Sequence, residues 1–515
     1  MSTRRASRPG PLRGSNGIAF GPDGRLYVCE YLAGRVSAVD LATAEVTTVT
    51  EPDGPIQSPD DLAFDAHGAM YITDLVPGRV WRRSPDGDFA LVSDQVRAPN
   101  GIACVGDRLF VNEMVVGGRL LELGGREPIE LAADLAMGNA MQLGPDGCLY
   151  YPHMRTQKIF RISLEGGVPE LVASDVHQPV AVRFDRGGVM LVLSSGVEGI
   201  VTRIDLWGDG ARSVIVSGIA GLDNAAFDTE NRMFVSSFAS GGITELHPDG
   251  RTREVVPRSL TGPYGVTVDS RGTVLATDHY RLAETREHDE DVTTAEMLYF
   301  VHGIAADGDV LHLTSQYGDV RTYDRASRSA RTRVAGLDQP MGIAVRPDGV
   351  VAVAEAGAGR VLAVGVDDTR TILADGLGHP VDVAFDAAGV CYVSDEERGA
   401  VYRIDDGLPV PVLEDLESPQ GIVVSGEVLF VVEVAARRVH AVELGTGHSQ
   451  VLADKLPVGP RRSGAALFTQ GMPAMPRPFA GLAVAADGSL LLGANSDGAI
   501  LTLPPPSRPS IPANP

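Results

Sequence analysis

The chain has 515 residues, with 44% hydrophobic and 22% charged side chains, a balance that suits soluble globular domains and excludes a low-complexity or fibrous polymer. Its formal net charge of −23 repels nucleic-acid phosphates and anionic lipid surfaces, so neutral or cationic small molecules and metal ions are the expected partners, with no nucleic acid and no membrane. No apolar run approaches the roughly 20 residues that span a bilayer.

The first residues, MSTRRASRPGPLRG, are basic and rich in Pro and Gly but lack an apolar core. They read as a flexible arm over residues 1–14 rather than a secretory leader, which makes a cytoplasmic location the default expectation. Cys29, Cys104, Cys148 and Cys391 form no CxxC spacing, which argues against a disulfide framework or a zinc knuckle.

Residues 16 to 40 hold the unit from which the chain is built. A small-apolar run (Gly17 to Phe20) is followed by a Pro-Asp-Gly turn, an alternating run (Leu26 to Cys29), an acidic stop at Glu30, a Gly-Arg pair and a third run (Val36 to Asp40). Each run has strand length and is bounded by turn residues. Short antiparallel strands of this kind bury both faces only when stacked on copies of themselves.

The copies begin at Gly17, Asp61, Gly101, Ala140, Ala181, Asn224, Gly265, Gly303, Gly342, Asp382, Gly421 and Gly481, mostly 38 to 44 residues apart. That period is the spacing of propeller blades, and twelve copies exceed the usual ring of four to eight. The expected fold is all-β: two tandem six-bladed β-propellers with twelve four-stranded blades, over residues 15–258 and 259–503, followed by a Pro-rich tail over 504–515. The last copy lacks an outermost strand, which the stretch Thr252 to Val256 is a candidate to supply. The stretch Arg281 to Met297 departs from the repeat and reads as a solvated excursion or a helical lid. Leu456 to Pro478 reads as a lid, binding loop or flap before the last blade.

Within a blade, the residue before the innermost strand and the residue after the second strand return to the same face, so they form two concentric rings. The first six copies place Asn16, Asp60, Asn100, Asn139, Val180 and Asp223 in the inner ring and Glu30, Asp74, Glu113, His153, Ser194 and Ser237 in the outer one. Turn chemistry alone enriches Asn and Asp at such positions. The last six copies have the same turns, yet their inner ring reads Tyr264, His302, Met341, Val381, Gln420 and Ala480, with no Asn or Asp. A site in the first ring is therefore expected. The second half's outer ring, Asp278, Ser315, Glu355, Asp395 and Glu433, is acidic again and reads as blade-to-blade hydrogen bonding.

Oxygen donors with two carboxylates suit a hard divalent cation, calcium first, with magnesium, manganese or zinc as alternatives. Asn16, Asp60, Asn100, Asn139 and Asp223 are the expected metal ligands. Asp223, with Asp60 second, is the candidate general base, and His153 a candidate proton carrier. Glu30, Asp74, Glu113 and Asn224 are candidate substrate contacts. The reaction these parts suit is hydrolysis of an activated carbonyl such as a lactone.

The runs NGIAFGPDGRLYVCE, PNGIACVGDRLFVNE and NAAFDTENRMFVSS resemble the senescence marker protein/gluconolactonase family of six-bladed propellers, related to NHL-repeat and strictosidine-synthase-like proteins. The resemblance implies one divalent metal held by a Glu, two Asn and an Asp, and lactone opening as the activity. Carried over, those ligands fall on Asn16, Asn100, Asn139 and Asp223. Asn in place of Glu at position 16 removes a negative charge, which Asp60 restores from the next blade. Two other readings are a metal-free condensing enzyme or lyase using Tyr264, His302 and Gln420 of the second ring, and a non-catalytic binding module.

Overall fold

In the computed structural model, residues 4–286, 291–459, 467–468, 472–473 and 479–504 are described. They form twelve four-stranded antiparallel sheets and one two-stranded pair, Leu467–Phe468 with Met472–Pro473, and contain no helix. The protein is two tandem six-bladed β-propellers. One compact unit is built on Gly10–Thr261, the other on the chain from Gly262 together with the N-terminal strand.

The first blade shows how the residues make the unit. Ser15–Phe20, Leu26–Glu30, Arg35–Val39 and Val46–Thr48 pair in order. The turn between the first two strands closes with Gly24 at φ 80°, a left-handed conformation that needs no Cβ, while Asp23 Oδ1 accepts the Arg25 N–H at 3.2 Å. Alternate residues then face the neighbouring blades. Ile18, Leu26, Val28 and Val39 pack with Phe234, Ile243, Val255 and Val256 of the sixth blade, and Cys29 and Val36 pack with Ile56, Leu62, Met70 and Ile72 of the second. Each such side chain contributes about 1.5–3 kcal/mol when fully buried, so a blade is stable only between two others.

A second device fixes the blades to each other. The residue just before the outer-ring position donates its hydroxyl or amide to the carbonyl of the next blade's inner-ring residue: Asn112 to Asn139 O at 2.7 Å, Ser394 to Gln420 O at 2.6 Å, and Ser236 to Asn16 O at 2.6 Å. The last of these closes the first propeller between its sixth and first blades.

The second propeller closes differently from the sequence expectation. Its last blade, Leu482–Val484, Leu490–Ala494 and Ala499–Leu503, takes Arg4–Arg5 as its outermost strand, with Arg4 opposite Thr502 and Arg5 opposite Leu501. Thr252–Val256 is instead the outermost strand of the sixth blade, paired with Ile243–Leu246. A two-residue charged strand carries no hydrophobic alternation, so the arm hid it. Leu12, in the same stretch, is fully buried.

The Arg281 to Met297 stretch is neither a solvated excursion nor helical in its described part. Arg281–Arg286 and Thr293–Glu296 are the third and fourth strands of the seventh blade. Arg281 is buried and paired with Asp278 at 2.9 Å, which explains why a charged residue stands where a strand begins. Of the Leu456 to Pro478 stretch, most lies outside the described residues, as does nearly all of the Pro-rich tail.

Candidate functional site in the first propeller

The ring residues converge because the innermost strands are bulged at those positions. Pairing register slips between Ser15 and Ile18, between Pro59 and Leu62, between Pro99 and Ile102 and between Leu222 and Ala225, so Asn16, Asp60, Asn100 and Asp223 each fall in an irregular step. A bulge turns its extra residue out of the strand's alternation, here toward the other blades' ring residues. Proline at the strand start, as at Pro59 and Pro99, has no N–H to satisfy in such a step.

The structure brings four of the five expected ligands into direct or shared contact. Asn16 donates its Nδ2 to Asp60 Oδ1 at 2.9 Å, and Asn100 donates its Nδ2 to Asp60 Oδ2. Asn100 and Asn139 both turn their amide nitrogens to Met114 Sδ, at 3.2 and 3.8 Å, and Asn139 also reaches Met154 Sδ at 3.2 Å. Asn16, Asp60, Asn100 and Asn139 are buried, while Asp223 is partly exposed.

Asp223 is coupled to this group through charge. Burial pushes its carboxyl well above the usual range, and the charges of Asp60 and Asp61 push it further. Burial, then Asp61, raises Asp60 to about 7, against the lowering effect of the Asn16 amide. Asp61 rises to about 6 by burial, with Arg183 opposing at 3.8 Å and hydrogen bonds from Leu62 N–H, Ile102 N–H and the Asn224 amide also opposing. Three carboxyls therefore share a small volume with one buried cation.

The donor set fits a hard cation in part. Two carboxylates whose charges repel, and a buried Asn16 Oδ1 that has no hydrogen-bond partner, are what such an ion neutralises and satisfies. Asn139 does not fit: its Oδ1 accepts the Ala140 N–H at 2.6 Å and its nitrogen faces the methionine sulfurs. Asn100 faces Asp60 with its nitrogen, the orientation a neighbouring carboxylate demands. Among the described residues, no cluster of three or more His, Cys, Asp and Glu is set to hold a metal, so amide oxygen has to complete any site here.

The outer ring is committed to bracing. Glu30, fully buried, accepts from Arg13 N–H, Ser37 Oγ and the Arg35 guanidinium, whose Nε lies at 2.7 Å. Asp74 accepts from Gln57 N–H, Ser58 N–H and Trp81 Nε1, and Glu113 from Arg97 and Arg119, each at 2.6 Å. Asn224 gives its nitrogen to Asp61 Oδ1 at 3.1 Å and its oxygen to Ala225 N–H at 2.8 Å. With these partners Glu30, Asp74, Glu113 and Asn224, the expected substrate contacts, hold the inter-blade loops and the ring backbone. The second propeller repeats the device, within a blade and the loop that enters it where blade-to-blade bonding was expected: Glu355 accepts Asp338 N–H at 2.8 Å and pairs with Arg360 at 2.6 Å.

His153 packs against Phe160, ring centroids 4.4 Å apart, and burial together with Lys158 lowers its pKa to about 4. It is neutral at pH 7, and no contact joins it to Asp60 or Asp223 among the described interactions. The expected proton carrier thus stands between Tyr151 of its own strand and Phe160 of the third strand.

The second ring is filled. Tyr264, Met341 and Val381 pack with Ala356 and Phe479 as one buried apolar cluster. Gln420 donates to Glu396 at 2.9 Å and accepts Ala480 N–H at 3.0 Å, while His302 meets Gln316 at 3.0 Å.

Sequence reasoning passed over Asp61 and Arg183 as site residues. Both were visible as exceptions to the repeat: Asp61 stands where most copies have Gly or Ala, and Arg183 where other inner strands of the first propeller have Ala or Gln.

Comparison with protein-family models gives no match, and comparison with curated proteins gives none either. Among solved structures, a streptogramin B lyase aligns at 18% identity over 53% of this chain and 94% of its own, with a TM-score of 0.40. A nidogen/laminin complex chain aligns at 20% identity over 41% of this chain and 89% of its own, with a TM-score of 0.35.

Proposed function

We propose that the first propeller binds one hard divalent cation, calcium first, at Asp60, Asp223 and Asn16, and opens a lactone or related small ester there. The observation that supports this most is the pair of mutually repelling carboxyls beside an unpartnered, buried amide oxygen. Asn139 is left out of the ligand set because its oxygen is engaged by its own blade.

The bound cation supplies Lewis-acid polarisation of a carbonyl and acidifies water. Asp60 is held by two amides from the blades on either side, so it orients. Asp223 has no comparable side-chain clamp among the described hydrogen bonds; burial and its carboxylate neighbours favour its protonated form, so it would take a proton only with a cation's charge holding it ionised. Met114, Met154 and Val180 give the ring an apolar side, which strengthens the charge interactions by keeping water out. A neutral substrate suits a chain of net charge −23. The buried apolar filling of the second ring favours the first ring over the Tyr264, His302 and Gln420 alternative.

The test is metal analysis of purified protein, followed by hydrolysis assays on gluconolactone and p-nitrophenyl acetate with and without chelator. Stoichiometric cation and chelator-sensitive turnover, both lost in Asp223→Asn, support the reading. Activity indifferent to chelator and to Asp223→Asn refutes it.

A further inference from the structure

Below the ring, at the far ends of the same innermost strands, the first propeller holds a cavity of about 610 Å³, a size typical of small-molecule sites. Its rim is aromatic: Phe20, Phe64, Phe184 and Phe227 end the inner strands of the first, second, fifth and sixth blades. Neighbouring rings lock two of them, Tyr27 against Phe64 and Tyr150 against Phe184, each at 4.9 Å. The wall also includes Arg183, nine-tenths buried.

The setting of Arg183 is unusual. Its Nε donates to Ala225 O at 3.1 Å and its Nη1 to Met141 O and Val182 O at 2.9 Å, all neutral carbonyls of three adjacent blades. Its nearest anion, Asp61, lies at 3.8 Å, beyond hydrogen-bond reach, and the Asp61 oxygens already accept from Leu62, Ile102 and Asn224. The guanidinium is thus rigidly placed by carbonyls, with no carboxylate in hydrogen-bond contact; the charges of Asp61 and Asp223 act on it from beyond that reach.

The second propeller provides a control. Its equivalent cavity, about 290 Å³, is lined by Asp382 in the role of Asp61, bracketing Val383 N–H and Ile422 N–H, and its lining contains no Arg or Lys. The bracketing aspartate does not itself require an arginine.

We propose that this cavity is a second binding site, separate from the ring, for a small aromatic monoanion such as an aryl carboxylate, with Arg183 facing the anionic group and the phenylalanines the ring. Arg186 and Asp185 also line the cavity, but Arg183 is its buried cation, and a single charge on a planar apolar body meets it without paying the long-range repulsion that a polyanion meets from an acidic protein.

Calorimetric titration of the full chain with 1-naphthoate and with 1-naphthalenemethanol, its neutral counterpart, tests this. One naphthoate binds per chain, at least about tenfold tighter than the alcohol, as expected for a charge-assisted contact. Arg183→Met removes that preference, and Ala226→Trp or Ala63→Trp, which fill the cavity, abolish both heats. Absence of saturable naphthoate binding, equal affinity of the two probes, or naphthoate binding unchanged by Arg183→Met or by the tryptophan variants overturns the proposal. If Arg183→Met does not fold, the tryptophan variants decide the location and the alcohol decides the role of charge.

Discussion

Asn16 and Asp60, 44 positions apart, meet through a 2.9 Å hydrogen bond from one blade's bulge to the next. That contact is the start of a chain that runs through Asn100, Met114 and Asn139, so one substitution in it is felt across four blades. Asp60→Ala leaves two amide donors facing a void. A loss of about 1–3 kcal/mol in the stability of the first propeller is expected, read by urea unfolding. Asp60→Asn, which keeps the shape but halves the acceptors, loses less.

Gly17 and Asp61 face each other across the first two blades, and a Cβ on Gly17 would overlap the Asp61 carboxylate and Cα. Gly17→Ala therefore destabilises by roughly 1–3 kcal/mol, an overpacking cost, and also displaces the ring. Unchanged unfolding of Gly17→Ala would show that the bulge relaxes freely.

Arg4–Arg5 covers the outer edge of the last blade, with Ala6 N–H donating to Ile500 O at 2.8 Å and Ser7 Oγ accepting Ile500 N–H at 2.9 Å. Deleting residues 1–9 removes this strand and exposes an edge. Calorimetry is expected to show the transition of the second propeller lowered by several degrees, with that of the first unmoved.

His279 is fully buried, its Nδ1 meets Tyr264 OH at 3.4 Å, and burial lowers its pKa to about 3. The folded state keeps it neutral, whereas the unfolded chain protonates it below about 6.5, so the unfolded state binds more protons in that window. Its contribution to stability is present above pH 6.5 and is lost on acidification, by about 1.4 kcal/mol per pH unit below about 6. His279→Asn, compatible with the positive φ of 55° at this position, should flatten the acid limb of the stability curve relative to the parent. Identical limbs would contradict the assignment.

Much of this was legible in the chain itself, for physical reasons. The period of the blades is written in turn glycines and alternating apolar residues, and the polar ring showed because the second propeller shares its turns but not its ring side chains. Which way each amide points depends on neighbours such as Met114 and Met154, brought in by other strands, so Asn139 looked like a ligand when its oxygen was already taken. The partners of the outer ring were hidden for the same reason: Glu113 receives Arg97 and Arg119, which other segments bring to it. Closure by Arg4–Arg5 was invisible because two exposed charged residues form a strand only when a complete blade edge awaits them.

The proposed cation of the first ring is held between Asp60 and Asp223. Calcium titration of chelator-stripped protein, followed by calorimetry, tests it most directly. One ion per chain is predicted, raising the unfolding temperature of the first propeller alone, with binding lost in Asp60→Asn and in Asp223→Asn. No binding of calcium, magnesium, manganese or zinc, or binding that survives both substitutions, would contradict it.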